Sequence, residues 1–146
     1  MLRHPLCHAA VVTMMLIAAS TASAADLSGT WSGRWESFDT GHNGPLNATF
    51  SRVSDDQYQV QFRGRFLKIV PFRYRVTLNI VEENDDRVTL AGESYLGRLF
   101  GTFTYQATAD DESFTADYSS CKDQGRFTLC RRSYACVPAE SSCSEK

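Results

Sequence analysis

The residues of this chain that could do chemistry are few. Residues 38–45 combine Asp39 and His42 with two glycines and a proline. An Asp and a His so close together could share a proton in acid–base catalysis, but no serine or cysteine nucleophile motif accompanies them. The same composition is typical of a plain turn. We therefore predict that the chain is not an enzyme, and we keep His42 as a candidate ligand contact in a recognition loop.

Four cysteines occupy the last quarter of the chain: Cys121, Cys130, Cys136 and Cys143. Their spacing contains no C-x-x-C pair and no histidine lies near them, which disfavours zinc. We predict no metal and no cofactor. An even number of cysteines in an exported chain indicates two disulfides, with three possible connectivities. We prefer Cys121 with Cys130 and Cys136 with Cys143, because short loops close at the lowest entropic cost.

Four arginines stand on two consecutive predicted strands: Arg63, Arg65, Arg73 and Arg75. A turn centred near Ile69 would place Arg65 opposite Arg73 and Arg63 opposite Arg75. Directly opposed like charges destabilise a sheet, so this Arg-rich face indicates an anionic or protein partner. Alternatively, it is a solvated face whose charges pair with carboxylates such as Glu82, Glu93 and loop aspartates.

Aromatic side chains alternate with polar ones along most of the chain, so they share one face of the predicted strands. They could line a cavity for a small apolar or amphipathic ligand, or fill the interior as a packed core, because each ring buries roughly 150–250 Å². For the cavity, we predict that Trp35, Phe62, Tyr74 and Tyr105 contact the ligand, together with His42.

The elements that would position these residues are strands, since the alternation has period two. The pattern predicts strands over residues 28–37, 45–53, 58–67, 72–82, 87–94, 98–107, 112–119 and 126–131. In the sixth strand, Leu99, Phe103 and Tyr105 would face inward. Eight short strands with short connections favour an all-β, antiparallel up-and-down meander that closes into a barrel. A two-sheet sandwich is the alternative.

The N-terminal segment has the features of a secretory signal peptide. Arg3 precedes an apolar run over residues 9–19, and Ala22-Ser23-Ala24 matches a cleavage site. Spanning a bilayer takes about 20 apolar residues, more than this run supplies. We predict cleavage after Ala24 and a secreted or periplasmic protein without a membrane span.

The predicted organisation is a signal peptide at residues 1–24, a β-barrel domain at 25–132 and a disulfide-pinned, cysteine-containing tail at 133–146. The 15 Lys and Arg of the chain face 17 Asp and Glu, for a net charge of −2. This balance argues against nucleic acid as a partner.

The first predicted strand opens with Gly29-Thr30-Trp31, ahead of an eight-stranded meander. This resembles the G-x-W start of the calycins, which include lipocalins, fatty-acid-binding proteins and avidins. The resemblance implies a barrel plugged at one end by the Trp, with a basic residue of the last strand, here Arg131 or Arg132, packed over it. Biotin binding is not implied, since both tryptophans lie in the first strand.

The function these observations favour is a secreted or periplasmic, non-catalytic binding barrel for a small apolar or amphipathic ligand. The alternative is an interaction or structural module with a solid core that works through the Arg-rich face.

Overall fold

The alternation of apolar and polar residues produces eight antiparallel strands in a computed structural model, which describes residues 25–67 and 69–132. Each strand pairs with the next, and the last pairs with the first, so the sheet closes into a barrel. This confirms the meander barrel and excludes the sandwich. The strands are β1 (Gly29–Ser37), β2 (Asn43–Ser54), β3 (Gln57–Phe66), β4 (Val70–Asn84), β5 (Arg87–Tyr95), β6 (Thr102–Ala109), β7 (Ser113–Ser119) and β8 (Gln124–Arg131).

The up-and-down order gives the barrel two different ends. At the end we call the loop end, β1–β2, β3–β4, β5–β6 and β7–β8 are joined. At the opposite end, which we call the Trp31 end, lie the segment preceding β1, the other three connections and the end of β8. No helix among the described residues has the length and apolar character needed to cross a bilayer.

The sixth strand starts later than the sequence predicts. Residues 96–101 form a loop in which the Leu96 N–H donates to the Gly101 carbonyl and the Gly101 N–H donates to the Gly97 carbonyl. Gly97 and Gly101 have φ angles of 89° and 76°, a region that side chains with a Cβ rarely occupy. The expected inward position of Leu99 is therefore wrong, and this side chain is 70% exposed.

The seam between β1 and β8 closes the barrel. Trp31 pairs with Arg131 at one end of the seam and Ser37 pairs with Gly125 at the other. At Gly33 the two strands approach so closely that a Cβ atom would overlap the carbonyl oxygen of Thr128. The glycine therefore allows the strong bend that brings β1 against β8.

Trp31 plugs its end of the barrel. Its indole Nε1 donates to the Leu27 carbonyl at 2.9 Å, and the Arg131 guanidinium carbon lies 4.8 Å from its ring centre. Arg131 also donates to the carbonyls of Ser28 and Asp26. This confirms that a basic residue of the last strand packs over the Trp and identifies it as Arg131.

Aromatic packing makes the Trp31 end solid. Phe50 lies at its centre, with ring centres 5.6 Å from Trp31 and 5.0 Å from Phe114. Tyr58 is fully buried beside them, and its hydroxyl accepts a hydrogen bond from the Leu27 N–H at 3.3 Å. The space that a ligand could share with side chains must therefore be sought nearer the loop end.

The preferred cysteine pairing is wrong at its first bond, because Cys121 is an exposed free thiol. It lies in the β7–β8 connection, whose turn is already closed by Ser120 and Asp123. Cys136, Cys143 and the rest of the predicted tail lie outside the described residues, as does the predicted signal peptide.

Candidate functional site

Four of the predicted ligand contacts lie inside the half of the barrel nearer the loop end. Trp35, Phe62 and Tyr105 are buried and Tyr74 is partly buried. Alternation places all four on the inner face of β1, β3, β4 and β6. Their rings are joined through neighbours into one network, whose contacts are Trp35–Phe66, Trp35–Phe72, Phe72–Tyr74, Phe62–Tyr74, Phe62–Phe127, Tyr105–Phe127, Tyr118–Phe127 and Phe103–Tyr118.

The top of this network is fixed by Trp35. Its indole stacks on Phe66 with ring centres 5.8 Å apart, and its Nε1 donates to the carbonyl of Arg65 at 3.1 Å. Phe66 itself is 41% exposed. Trp35 therefore ties β1 to the end of β3 and forms part of the layer between the interior and solvent.

Three phenols lie below this layer. The hydroxyl of Tyr118 donates to Asp123 at 3.1 Å, and Asp123 in turn accepts from the Ser37 hydroxyl at 2.6 Å. The Tyr105 hydroxyl is different, because it is buried and makes no well-formed hydrogen bond among the described residues, although the Tyr74 hydroxyl lies close enough for a weak one. Burial raises the pKa of Tyr105 to about 12. Burial, with Tyr105 close by, also holds the pKa of Tyr74 well above its usual range.

His42, the fifth predicted contact, lies outside the interior. Its exposed ring packs against Phe66 at 5.4 Å, above the network. Asp39 accepts a hydrogen bond from the Gln124 side chain, and within residues 25–67 and 69–132 no ion pair joins Asp39 to His42. The structure thus does not assemble the acid–base pair that these two residues could have formed.

No metal-binding group is assembled in the described part of the chain, where no three His, Cys, Asp or Glu side chains converge. Two depressions lie on the outer wall. One, of about 270 Å³, is lined by residues of β1, β2 and β3, including Arg63, and by Arg132. The other, of about 320 Å³, is lined by residues of β6, β7 and β8 with Phe38. The interior near the loop end is instead occupied by the ring network.

The four arginines lie on β3 and β4 as predicted, but the register between these two strands differs from the prediction. Arg63 pairs with Arg73, Arg75 pairs with Gln61, and Arg65 pairs with Pro71. The turn between Phe66 and Val70 is centred one residue earlier than expected, because these two residues pair with each other, and Leu67 has a positive φ of 50°. Moving a turn centre by one residue shifts each cross-strand partner by two. The two predicted arginine pairs are therefore replaced by one, Arg63 with Arg73.

Gln61 explains how β3 and β4 tolerate the opposed arginines. Its side-chain oxygen accepts one hydrogen bond from Arg63 at 2.8 Å and one from Arg73 at 3.0 Å. In the described ranges the single ion pair joins Arg126 to Asp117, on another part of the wall. The expectation that carboxylates such as Glu82 and Glu93 neutralise the Arg-rich face is not met here.

Sequence reasoning missed the network of Tyr118, Asp123 and Ser37 that closes the loop end beside β7 and β8. Asp123 lies in a tight connection, where an aspartate is ordinarily a turn former. Its role depends on Ser37, which is 86 positions away in the sequence. Only barrel closure brings the two together.

No protein-family model and no curated protein matches the chain. Among solved structures, it is similar to a redesigned β-barrel, mFAP1, bound to DFHBI, with 16% identity, a TM-score of 0.54, and coverage of 73% of this chain and 94% of that chain. It is also similar to a de novo designed fluorescence-activating β-barrel, with 17% identity, a TM-score of 0.49, and coverage of 72% of this chain and 92% of that chain. The first likeness supports the barrel fold alone, and a calycin family is not confirmed.

Proposed function

We propose that the chain is an exported, non-catalytic barrel that binds a small apolar or amphipathic molecule beneath its loop end. The observation that carries this proposal is the buried Tyr105 hydroxyl, which makes no well-formed hydrogen bond in the described residues and has only the Tyr74 phenol close by. Such a group costs about 1–3 kcal/mol. A bound molecule with one polar atom would recover that cost, while its apolar part would meet the surrounding rings.

The loop end is the side from which a ligand would arrive. Phe72 and Tyr74 are partly buried and Phe66 is 41% exposed, so the upper ring layer borders solvent. The Trp31 end is closed by fully buried side chains and by Arg131. We infer that a ligand displaces Phe66 and Phe72 and reaches Tyr105 between Tyr74 and Phe127.

The size of the barrel agrees with one small ligand. An eight-stranded barrel holds either its own side chains or one small molecule. The redesigned barrel that the fold is similar to is bound to DFHBI, which supports the proposal at the level of architecture only. Export rests on the apolar run and cleavage motif before Ala25.

The test begins with native mass spectrometry of the chain purified from its own host, followed by denaturing mass analysis of the same sample. A small molecule lost on denaturation supports the proposal, and a denatured mass beginning at Ala25 supports export. Titration with anilinonaphthalene sulfonate, an apolar ring system with one anionic group, then compares Tyr105→Phe with Tyr58→Phe. We expect only Tyr105→Phe to weaken binding. A bare chain that binds no probe would overturn the proposal.

A second candidate function is a solid-core interaction module that uses the Arg-rich face. The observation favouring it is the Arg63–Arg73 pair, which only Gln61 bridges and which no carboxylate neutralises in the described residues. A double Arg63→Glu, Arg73→Glu variant should keep the fold and lose an anionic partner, with wild-type association weakening as salt rises. Unchanged capture by the double variant would exclude this use of the face.

A further inference from the structure

Exposed large apolar side chains are concentrated at the loop end of the barrel. Of ten such side chains in the described residues, only Val53 and Val81 lie outside this end and its strand termini. Isolated exposed apolar residues are ordinary, whereas a cluster marks an interaction surface. The other eight, which we call the apolar rim, are Phe38, Phe66, Leu67, Ile69, Val70, Tyr95, Leu99 and Phe100.

One part of the apolar rim is carried by a projecting hairpin. β4 pairs with β3 from Val70 onward, but its pairing with β5 begins only at Thr77. The tip of this hairpin therefore stands clear of the barrel wall. The apolar side chains described at this tip are exposed, Ile69 at 78% and Leu67 at 51%, and Lys68 lies between them in the sequence.

A second part is carried by the β5–β6 loop, on the next connection around the same end. Leu99 and Phe100 are 70% and 54% exposed. The Lys122 ammonium donates to the Leu99 carbonyl at 2.7 Å and joins this loop to the β7–β8 connection. Two separate loops thus present apolar tips, rather than one flat patch.

The charges next to these tips have one sign. Residues 62–81 and 95–109 contain no Asp or Glu, but they contain five arginines. Four form the Arg-rich face, and the fifth, Arg98, is exposed beside Leu99. None of them belongs to an ion pair in the described ranges. Asp39 and Asp123 of the other two loops accept hydrogen bonds from neutral side chains and keep their negative charge, as does the exposed Glu93 of β5. The excess of positive charge is therefore confined to the strands and loop that carry the two tips.

We infer that the loop end docks on an anionic lipid bilayer. Ile69 and Leu99 enter the headgroup region at the tips of their loops, while Arg65, Arg73 and Arg98 meet the lipid phosphates. Apolar tips surrounded by arginines match such a surface because both burial of apolar area and attraction to anionic lipid favour binding. This docking goes beyond ligand binding and does not depend on it.

The experiment is co-sedimentation with vesicles of phosphatidylcholine alone or with phosphatidylglycerol added. All variants are made in a chain beginning at Ala25, because the strands lie after that residue and the apolar run of residues 9–19 would itself bind lipid. The test variant is Ile69→Asn with Leu99→Asn. The control is Val53→Asn with Val81→Asn, at exposed apolar positions away from the apolar rim. Thermal melting confirms that each variant is folded.

We expect wild type and control to bind the anionic vesicles alike, more tightly than phosphatidylcholine and less tightly in high salt. The test variant should bind at least about tenfold more weakly, since burying one such side chain is worth more than a factor of ten. Arg65→Gln with Arg73→Gln should lower affinity for the anionic vesicles and leave affinity for phosphatidylcholine vesicles unchanged. Equal binding by test and control variants, no binding by wild type, or dimerisation that the test variant abolishes would each overturn the proposal.

Discussion

The Tyr105 hydroxyl places a polar atom among rings without giving it a well-formed hydrogen bond in the described residues. This predicts an unusual response to its removal. Tyr105→Phe should leave the free energy of unfolding unchanged or raise it by about 1 kcal/mol, because no hydrogen bond is lost and an unsatisfied group disappears. Urea unfolding followed by tryptophan fluorescence measures this.

Tyr58→Phe is the matched control for that change, since this phenol is buried at the opposite end and accepts the Leu27 N–H. Its removal should cost about 1 kcal/mol. If Tyr105→Phe proved as destabilising as Tyr58→Phe, the hydroxyl would have a partner in the folded chain, and the main support for a ligand beneath the loop end would be lost.

Trp31 should contribute to stability far more than its surface neighbours do. It is 1% exposed and is held by Leu27, Phe50 and Arg131. Trp31→Ala should lower the free energy of unfolding by about 3–5 kcal/mol. Arg131→Gln, which keeps the ring but removes the cation above it and the hydrogen bonds to Ser28 and Asp26, should lower it less, by about 1–2 kcal/mol. Similar losses in both variants, measured by urea unfolding, would show that the cation rather than the ring closes this end.

Individual residues also show what the sequence could reveal. The G-x-W start and the basic residue over the Trp were predictable, since Trp31 and Arg131 lie on paired strands at the barrel seam. The missing partner of Tyr105 was not, because it depends on where seven other strands place their polar atoms. The free thiol of Cys121 was not predictable either, because the conformation of the β7–β8 connection decides which residues lie near it.

At the scale of the elements, Gly33 marks one of the close approaches between β1 and β8. Gly33→Ala would bring a methyl group onto the Thr128 carbonyl and force β1 away from β8. We expect a loss of about 1–3 kcal/mol, the usual cost of overpacking. Thr30→Ala, on the outer face of the same strand, should change stability by less than about 0.5 kcal/mol. If Gly33→Ala and Thr30→Ala changed the melting temperature equally, β1 and β8 could move apart at Gly33 without loss of stability.

The strands themselves were largely predictable because alternation with period two extends through each of them. Errors arose where apolar residues continue into a loop. The sequence pattern includes Leu99 and Phe100 in the sixth strand. In the structure they lie in a loop between Gly97 and Gly101, both of which have positive φ. The same holds at the β3–β4 turn, where composition indicates a connection but does not fix its centre to one residue. That single residue decides which arginines face each other.

At the scale of the whole molecule, a net charge near zero conceals an uneven distribution. The chain has 15 basic and 17 acidic residues, and this balance argues against nucleic acid as a partner. Folding nevertheless gathers five arginines around the apolar rim, because β3, β4 and the β5–β6 loop are neighbours at one end. The location of a charged surface therefore depends on topology, and the net charge of the whole chain does not reveal it.

The buried phenols should also set an alkaline limit to the stability of the barrel. Burial raises the pKa of Tyr105 to about 12 and holds the pKa values of Tyr74 and Tyr118 above their usual range. In the unfolded chain a tyrosine titrates near pH 10. Above that pH the unfolded state loses protons that the folded state keeps, so stability falls with rising pH. Below pH 10 these three phenols stay protonated in both states, so they give the free energy of unfolding no pH dependence.

Between about pH 10 and 12, each of these phenols should lower the free energy of unfolding by up to about 1.4 kcal/mol per pH unit. Urea unfolding in a series of alkaline buffers gives this slope, and tyrosinate absorbance shows when the phenols ionise. Tyr105→Phe should reduce the slope, because it removes one of the three phenols whose pKa burial raises. A wild-type slope near zero between about pH 10 and 12 would mean that water reaches the ring network. The interior near the loop end would then be a hydrated space rather than a packed one, and a ligand could enter it without displacing Phe66 and Phe72.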